Sequence, residues 1–194
     1  MAFLSEDAIA ALGFARVGRD VKISEHARIY RPERIALADH VRIDDFCLLS
    51  AGDGGIDIGS YVHVACYSSL IGREEIILRD FAGLSGRVSV YSSSEDYSGA
   101  ALTNPTVPDA YRKLRHGRVL LERHVIVGAG SVILPGVTLG LAASVGALTL
   151  VARDLEAFGM YLGVPARKIG TRKQDLLQLE TRLRAALQRG AAAI

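Results

Sequence analysis

Five histidines, two cysteines and a short acidic run supply the reactive groups of this 194-residue chain. Histidine takes or gives a proton near neutral pH, so each is a candidate general base. His63 stands in the run HVACY, directly before Val64. His116 ends a long segment rich in Ser, Tyr, Pro and charge. Glu95 and Asp96 lie in that same segment. Either carboxylate can orient a histidine or replace it as base, the latter only with a pKa raised by burial or neighbours. Cys47 and Cys66 are too few for a zinc cluster or a disulfide scaffold. As a nucleophile, Cys66 would need an activated thiolate.

The elements that must hold these groups are written in a period of six. From Val125 to Ala152 no residue is charged, which by length alone is a membrane-span candidate. Five Gly and a central Pro135 oppose a helix there. Apolar residues recur instead at Leu121, Val127, Ile133, Leu139, Val145 and Val151. Small or β-branched residues follow the first five by four positions, at Val125, Ser131, Val137, Ala143 and Thr149. The register continues upstream in broken stretches: Val17, Ile23, Ile29; Leu37, Ile43, Leu49; Ile58, Val64, Leu70; and Leu78, Leu84, Val90. A short fixed period is the signature of a solenoid.

Each hexad reads as a short strand plus a turn, so the chain winds as a parallel β-helix. Three hexads, about 18 residues, close one triangular coil, and about six coils stack at roughly 4.8 Å. The apolar residue and the small one after it point inward, and the residue just before the apolar one faces outward. On that rule His63 lies on an outer flat face and Cys47 is core. His26, His40 and His124, each three past an apolar position, decorate corners, and Cys66 lies at a corner near His63. A zinc site of carbonic anhydrase type needs three histidines converging from adjacent coils. The 14-residue spacing of His26 and His40 does not match a coil.

Two segments leave the register. Residues 91–116 have no period, and so long an excursion in a compact domain is commonly functional. At the C-terminus Thr171 and Gln174 fit a capping box, and Leu176, Leu179, Leu183 and Leu187 give one apolar helix face. Ser5 to Leu12 reads as a short helix ended by Gly13. The expected division is a capping segment 1–16, a β-helix 17–170 carrying the excursion, and a helical segment 171–194. Both helices are expected to cover open solenoid ends. With 49% apolar and 23% charged residues the chain is not disordered, and a net charge of +2 gives no footprint for nucleic acid. The N-terminal MAFLSEDAIA carries acids where a signal peptide needs basic residues, so a cytoplasmic location without membrane insertion is expected.

The tract VIVGAGSVILPGVTLG, followed by SVGALTLVARDLEAFGMYLGVPARKIG, resembles the hexapeptide-repeat acyltransferases, especially the galactoside, maltose and xenobiotic O-acetyltransferases. The ending Gly163-Val164-Pro165-Ala166-Arg167 is its most specific element. Hexads alone also suit a nucleotidyltransferase tail. The resemblance implies a left-handed β-helix, a homotrimer with active sites between subunits, and acetyl-CoA as donor. By position it implies that Ala129, Gly146 and Ala147 flank the pantetheine channel. It implies further that Ala152, Arg153 and Arg167 lie near the nucleotide and its phosphates, which suit the forked donors of arginine. Lys168 and Arg172 read as solvated surface.

One departure stands out. Related enzymes carry a histidine in the excursion, where this chain has Ser93-Ser94-Glu95-Asp96-Tyr97. Acyl transfer needs a group that removes the acceptor's proton as it attacks the thioester. The base is therefore relocated, with His63 first and His116 second, or changed to Glu95 or Asp96. Tyr97 and Asn104 are candidate acceptor contacts. The leading expectation is O-acetylation of a sugar or glycan-precursor hydroxyl by direct transfer from acetyl-CoA, with no metal. N-acetylation of a nucleotide-linked amino sugar and a non-catalytic trimeric scaffold are the alternatives.

Overall fold

A computed structural model describes residues 2–191, so residues 192–194 of the expected C-terminal helical segment, and residue 1, lie outside the described residues. Three sheets form the faces of a triangular prism. The first face stacks Arg16–Val17, Ile35–Leu37, Ile56–Ile58, Ile76–Leu78, Val119–Leu121 and Thr138–Leu139. The second stacks Lys22–Ile23, Arg42–Ile43, His63–Val64, Gly83–Leu84, Ile126–Val127, Ser144–Val145 and Gly159–Leu162. The third stacks Arg28–Tyr30, Leu48–Ala51, Ser69–Gly72, Ser89–Tyr91, Val132–Ile133 and Leu150–Val151. All these strands pair in parallel, as a chain winding in one sense requires. This is the parallel β-solenoid that the period of six predicts.

The hexad rule selects the core. Leu121, Val127, Ile133, Leu139, Val145 and Val151 are all buried, as are the small slots from Val125 to Thr149. Each such Leu, Ile or Val contributes about 1.5–3 kcal/mol by leaving water. The buried hydroxyls are satisfied by the next coil: Ser131 Oγ donates to Gly146 O at 3.0 Å and accepts from Thr149 N at 3.2 Å. Ser68 does the same with Ser85 O at 3.0 Å and Val88 N at 3.2 Å. Val17, 39% exposed, and the half-buried Ile29 depart from the rule because they sit in the first coil, with none beneath. Helix α1 (Glu6–Ala11) covers that end, its Ser5 hydroxyl accepting from Ala8 N and its Ile9 buried in the core.

Coil length is not uniform. Val127 stacks on Val145, 18 residues on, but Ile43 stacks on Val64, 21 residues on. The additional residues collect at the corner between the third and first faces, as at Gly52–Gly55. That corner is also where the excursion leaves, between Ser89–Tyr91 of the third face and Val119–Leu121 of the first.

The C-terminus differs from expectation. Thr171 is not a helix cap: Arg167–Thr171 returns antiparallel along Gly159–Leu162 with Thr171 opposite Gly159, and this strand covers the far end of the second sheet. Helix α2 (Asp175–Ala191) therefore has no open end to cap. It runs down the corner between the first and second faces, Glu180 meeting His124, Arg184 meeting Asp80, and Leu187 lining a cleft with His40 and Tyr61. The expected apolar face is left largely uncovered, Leu176 half-buried but Leu179 60%, Leu183 40% and Leu187 46% exposed.

Candidate active site

The corner histidines belong to aromatic columns. His40, Tyr61, Phe81 and His124 stack at centroid distances of 4.6, 5.0 and 4.9 Å along the corner that α2 follows. His26, Phe46 and Tyr67 stack at 5.5 and 5.0 Å along the corner between the second and third faces. Each of His40, Phe46, Tyr61, Tyr67, Phe81 and His124 turns the chain with φ between 59° and 62°. That left-handed conformation costs a side-chain-bearing residue about 1–3 kcal/mol, which ring stacking worth about 0.5–1.5 kcal/mol partly offsets. These three histidines are turn residues spread over two corners, not a converging ligand set.

The excursion has a stem that its sequence does not announce. Ser93–Ser94 pairs antiparallel with Arg115–His116, placing Ser93 opposite His116. The stem is pinned to the coil below: Ser93 Oγ accepts from Arg73 N at 2.8 Å, and Ser92 Oγ donates to Glu74 O at 2.6 Å. His116 Nδ1 lies 3.0 Å from Ser93 Oγ. Glu95 is held by Arg112, Nη2 to Oε1 at 2.8 Å, and Arg112 also meets Asp109 at 3.0 Å.

His116, Leu114, Glu95 and Ser94 form the wall between two clefts. The lower, about 380 Å³, is lined also by Ser50, Gly72, Arg73 and Arg112. The upper, about 840 Å³, adds Asp96, Tyr97, Lys113, Leu134, Pro135 and Leu150. Glu95 Oε2 in this wall and Arg112 Nε of the lower cleft are buried with no hydrogen-bond partner among the described residues. The exposed Asp96 accepts from Ser98 and from the Ala100 amide. These hydrogen bonds hold its carboxyl below the usual carboxylate range. Tyr97, 90% exposed, stands at the rim, whereas Asn104 spends its side-chain oxygen on Thr106 in an exposed turn.

His63 is elsewhere. It projects from the outer side of the second face, between Arg42 below and Gly83 above. Its Nε2 is 2.8 Å from Asp44 Oδ2, and Arg42 Nε donates to Asp44 Oδ1 at 2.7 Å. Asp44 is buried, which pushes its carboxyl up, but the hydrogen bonds from Arg42 and His63 outweigh this and hold it low. The second face lies opposite the corner that emits the excursion, so one chain does not bring His63 and His116 together. Asp44 and Arg112 are the residues that sequence reasoning missed. Asp44 follows Arg42, whose place one coil beneath His63 is visible only once the 21-residue coil is known.

The remaining candidates sit toward the C-terminal coils. Ala129 and Ala147 are exposed one coil apart at the corner between the second and third faces, where Leu148 N donates to Ala129 O at 2.8 Å. Gly146 is half-buried beside Ala147, and a Cβ there would meet Leu162 at 2.6 Å. Ala152, Arg153 and Arg167 are exposed, and neither arginine pairs with a carboxylate among the described residues. Lys168 pairs with Glu156 at 2.6 Å, and Arg172 donates to the carbonyls of His124 and Ala142. Cys47 is core, its thiol pushed up to about 11 by burial, and Cys66 is half-buried at its corner.

No protein-family model matches the chain. Over 181 residues it is 48% identical to the dTDP-4-amino-4,6-dideoxy-D-glucose acyltransferase of Escherichia coli, spanning 93% of this chain and 94% of that one. Its structure superposes with a TM-score of 0.93 on AntD, an N-acyltransferase from Bacillus cereus in complex with dTDP and 3-hydroxybutyryl-CoA, at 42% identity over 96% of this chain and 98% of that one. A maltose O-acetyltransferase from Clostridium difficile, 17% identical over 87% of this chain and 75% of that one, shares the fold with a TM-score of 0.59. The chain belongs to the hexapeptide-repeat acyltransferases. Within them, its relatives above 40% identity include the acyltransferase of a dTDP-linked amino sugar and an N-acyltransferase that holds dTDP and an acyl-CoA.

Proposed function

We propose that this protein transfers an acyl group from acyl-CoA, acetyl-CoA being the simplest donor, to the amine of a dTDP-linked 4-amino-4,6-dideoxy sugar. The observation that carries the reading is 48% identity along nearly the whole length of a relative with that acceptor, a span that takes in the excursion. The amine thereby replaces the sugar hydroxyl as the favoured nucleophile. In the balanced step the amine nitrogen bonds to the thioester carbon, the C–S bond breaks, the amine loses a proton and coenzyme A leaves as a thiol. No acyl-cysteine is required, and Cys66 has no part.

The residues fit these two substrates. Ala129 and Ala147 leave the corner low enough for an extended pantetheine arm to approach backbone amides, with Gly146 packed against Leu162 beside them. Ala152, Arg153 and Arg167 suit its nucleotide end, with two cations unpaired by carboxylates among the described residues. The orphaned acceptor of Glu95, which lines both clefts, and the orphaned donor of Arg112 in the lower one suit polar groups of a sugar substrate, and Tyr97 stands at the rim of the upper cleft. Ionised, Asp96 suits holding a cationic amine better than accepting its proton. Asn104, spent on its own turn, is left out. The working unit is a cytoplasmic homotrimer with sites between subunits. Exposed apolar residues support association between copies, at Phe46, Tyr67, Ile126 and Leu148 around the second face and at Leu179, Leu183 and Leu187 on α2.

The test is purified protein with acetyl-CoA and either dTDP-4-amino-4,6-dideoxyglucose or its 4-hydroxy counterpart, followed by thiol release and product mass. Acetylation of the amine alone is expected. Acetylation of the hydroxyl alone would return the reading to O-transfer, and binding of acetyl-CoA with turnover of neither would favour the scaffold.

A further inference from the structure

Three observations meet on the outer side of the second face. The first is a carboxylate–histidine pair: both oxygens of the buried Asp44 are taken, one by Arg42 and one by His63 Nε2. An ionised carboxylate accepting from Nε2 fixes the neutral ring with its proton there, so the free lone pair is on Nδ1, away from Asp44. The second is exposure, since the His63 side chain is 48% accessible although Asp44 beneath it is 8% accessible. The third is Gly83, the next residue up in register. Its φ is not left-handed, and a Cβ built on it meets nothing within 4 Å, so neither backbone conformation nor packing calls for glycine. A glycine inside a strand weakens it and marks a place where a ligand or another backbone comes close. Here it leaves a notch directly above His63, with Ile126 on its far side.

We infer that this notch is half of the acceptor site, that His63 is the base taking the acceptor's proton at Nδ1, and that Asp44 is its positioning residue. The inference rests on the amine-acylating reading and names its base. The proton leaves the amine as nitrogen bonds to the thioester carbon, resides on His63, and passes to the departing thiolate. Asp44 holds the ring in the required tautomer and stabilises the imidazolium that forms. His116, by contrast, is bonded to a hydroxyl and pairs with no carboxylate among the described residues. The excursion that closes over the notch comes from a second copy, because within one chain it leaves from the opposite corner. The charged groups around His63 are Arg42 and Asp44 on the strand segment below, while Gly83 above it brings none.

Four variants of the full chain test this, each measured for kcat, KM for the amino sugar, acetyl-CoA affinity, pH profile and Tm. His63→Gln is expected to lose roughly 10²–10⁴-fold in kcat with acetyl-CoA affinity unchanged. Asp44→Asn is expected to lose less, in kcat rather than in the KM for the amino sugar, since Asn fills the same space without fixing the Nε2–H tautomer or stabilising the imidazolium. Gly83→Val fills the notch with a good strand former, so Tm is expected to hold or rise while the KM for the amino sugar climbs. His116→Gln is expected to leave the acidic limb in place. Near-wild-type kcat and an unchanged limb in His63→Gln would overturn the inference, as would a limb displaced only by His116→Gln. Wild-type protein that never acylates the amine would overturn the functional reading and this inference with it, a result distinct from either.

Discussion

Replacing Glu180 with alanine removes a buried carboxylate that fastens α2 to the prism. The Glu180 side chain is 7% exposed and faces a histidine and two arginines: His124 at 2.6 Å, Arg184 at 2.8 Å and Arg123 at 3.0 Å. The two arginines are 45% and 43% exposed and rehydrate when their partner goes, so each contributes only about 0.2–1 kcal/mol. His124 is 10% exposed and cannot rehydrate, so its charge-assisted bond accounts for about 1.5–3 kcal/mol. Together these put about 2–5 kcal/mol on the docking of the helix, or roughly 30- to 4,000-fold in its opening equilibrium. Hydrogen exchange of peptides spanning 175–191 reads that equilibrium directly. Their exchange is expected to accelerate in Glu180→Ala, while peptides from 119–145 keep wild-type protection because their core lies inside the prism.

The same acid sets a pH dependence. Burial pushes the Glu180 carboxyl up, but hydrogen bonds from His124 and Arg184 outweigh it and hold the group below its ordinary 4.5. A depressed acid stabilises the folded form above its unfolded value and loses that contribution as pH falls through the folded value. Wild-type helix protection should therefore fall on acidification below pH 4.5, with the variant flat across that window. Exchange of α2 within threefold of wild type at neutral pH would refute the clamp.

Three further outcomes are expected. Ser131→Ala strands Thr149 N and Gly146 O in the interior and should lower stability by about 1–3 kcal/mol in denaturant melts. Gly128→Val places a Cβ 2.5 Å from Ala147 N, so unlike Gly83→Val it should lower Tm sharply or abolish folding. Exchanging Arg153 and Arg167 together for Gln should weaken coenzyme A binding by calorimetry at least tenfold while leaving dephospho-CoA binding nearly unchanged, if these two forks hold the 3′-phosphate.

Most of the solenoid is legible in the sequence because its information is local. A side chain inside a narrow prism must be apolar or small, and the demand recurs at every strand, so Leu121 to Val151 declare their burial by spacing alone. The same rule sends His63 outward, Cys47 inward and the corner histidines to turns. What periodicity does not carry is coil length. The longer N-terminal coils place Arg42, and with it Asp44, under His63, and those extra residues at one corner are silent in a reading by hexads. The antiparallel stem that sets His116 beside Ser93, and the grip of Arg112 on Glu95, likewise join residues of a segment with no pattern.

The C-terminus shows the same division from the other side. Leu176, Leu179, Leu183 and Leu187 predict a helix, and a helix forms, because hydrophobic period and propensity are properties of the segment itself. Where it lies was decided elsewhere, by an antiparallel strand that already covers the solenoid end and by a corner offering His124, Arg123 and Asp80 to Glu180 and Arg184. The sequence by itself determined which residues wind, which face inward and which class of chemistry the exposed groups suit. Only the tertiary structure decided which of those groups meet, because proximity between residues 19 or 56 positions apart depends on the cumulative length of every coil between them.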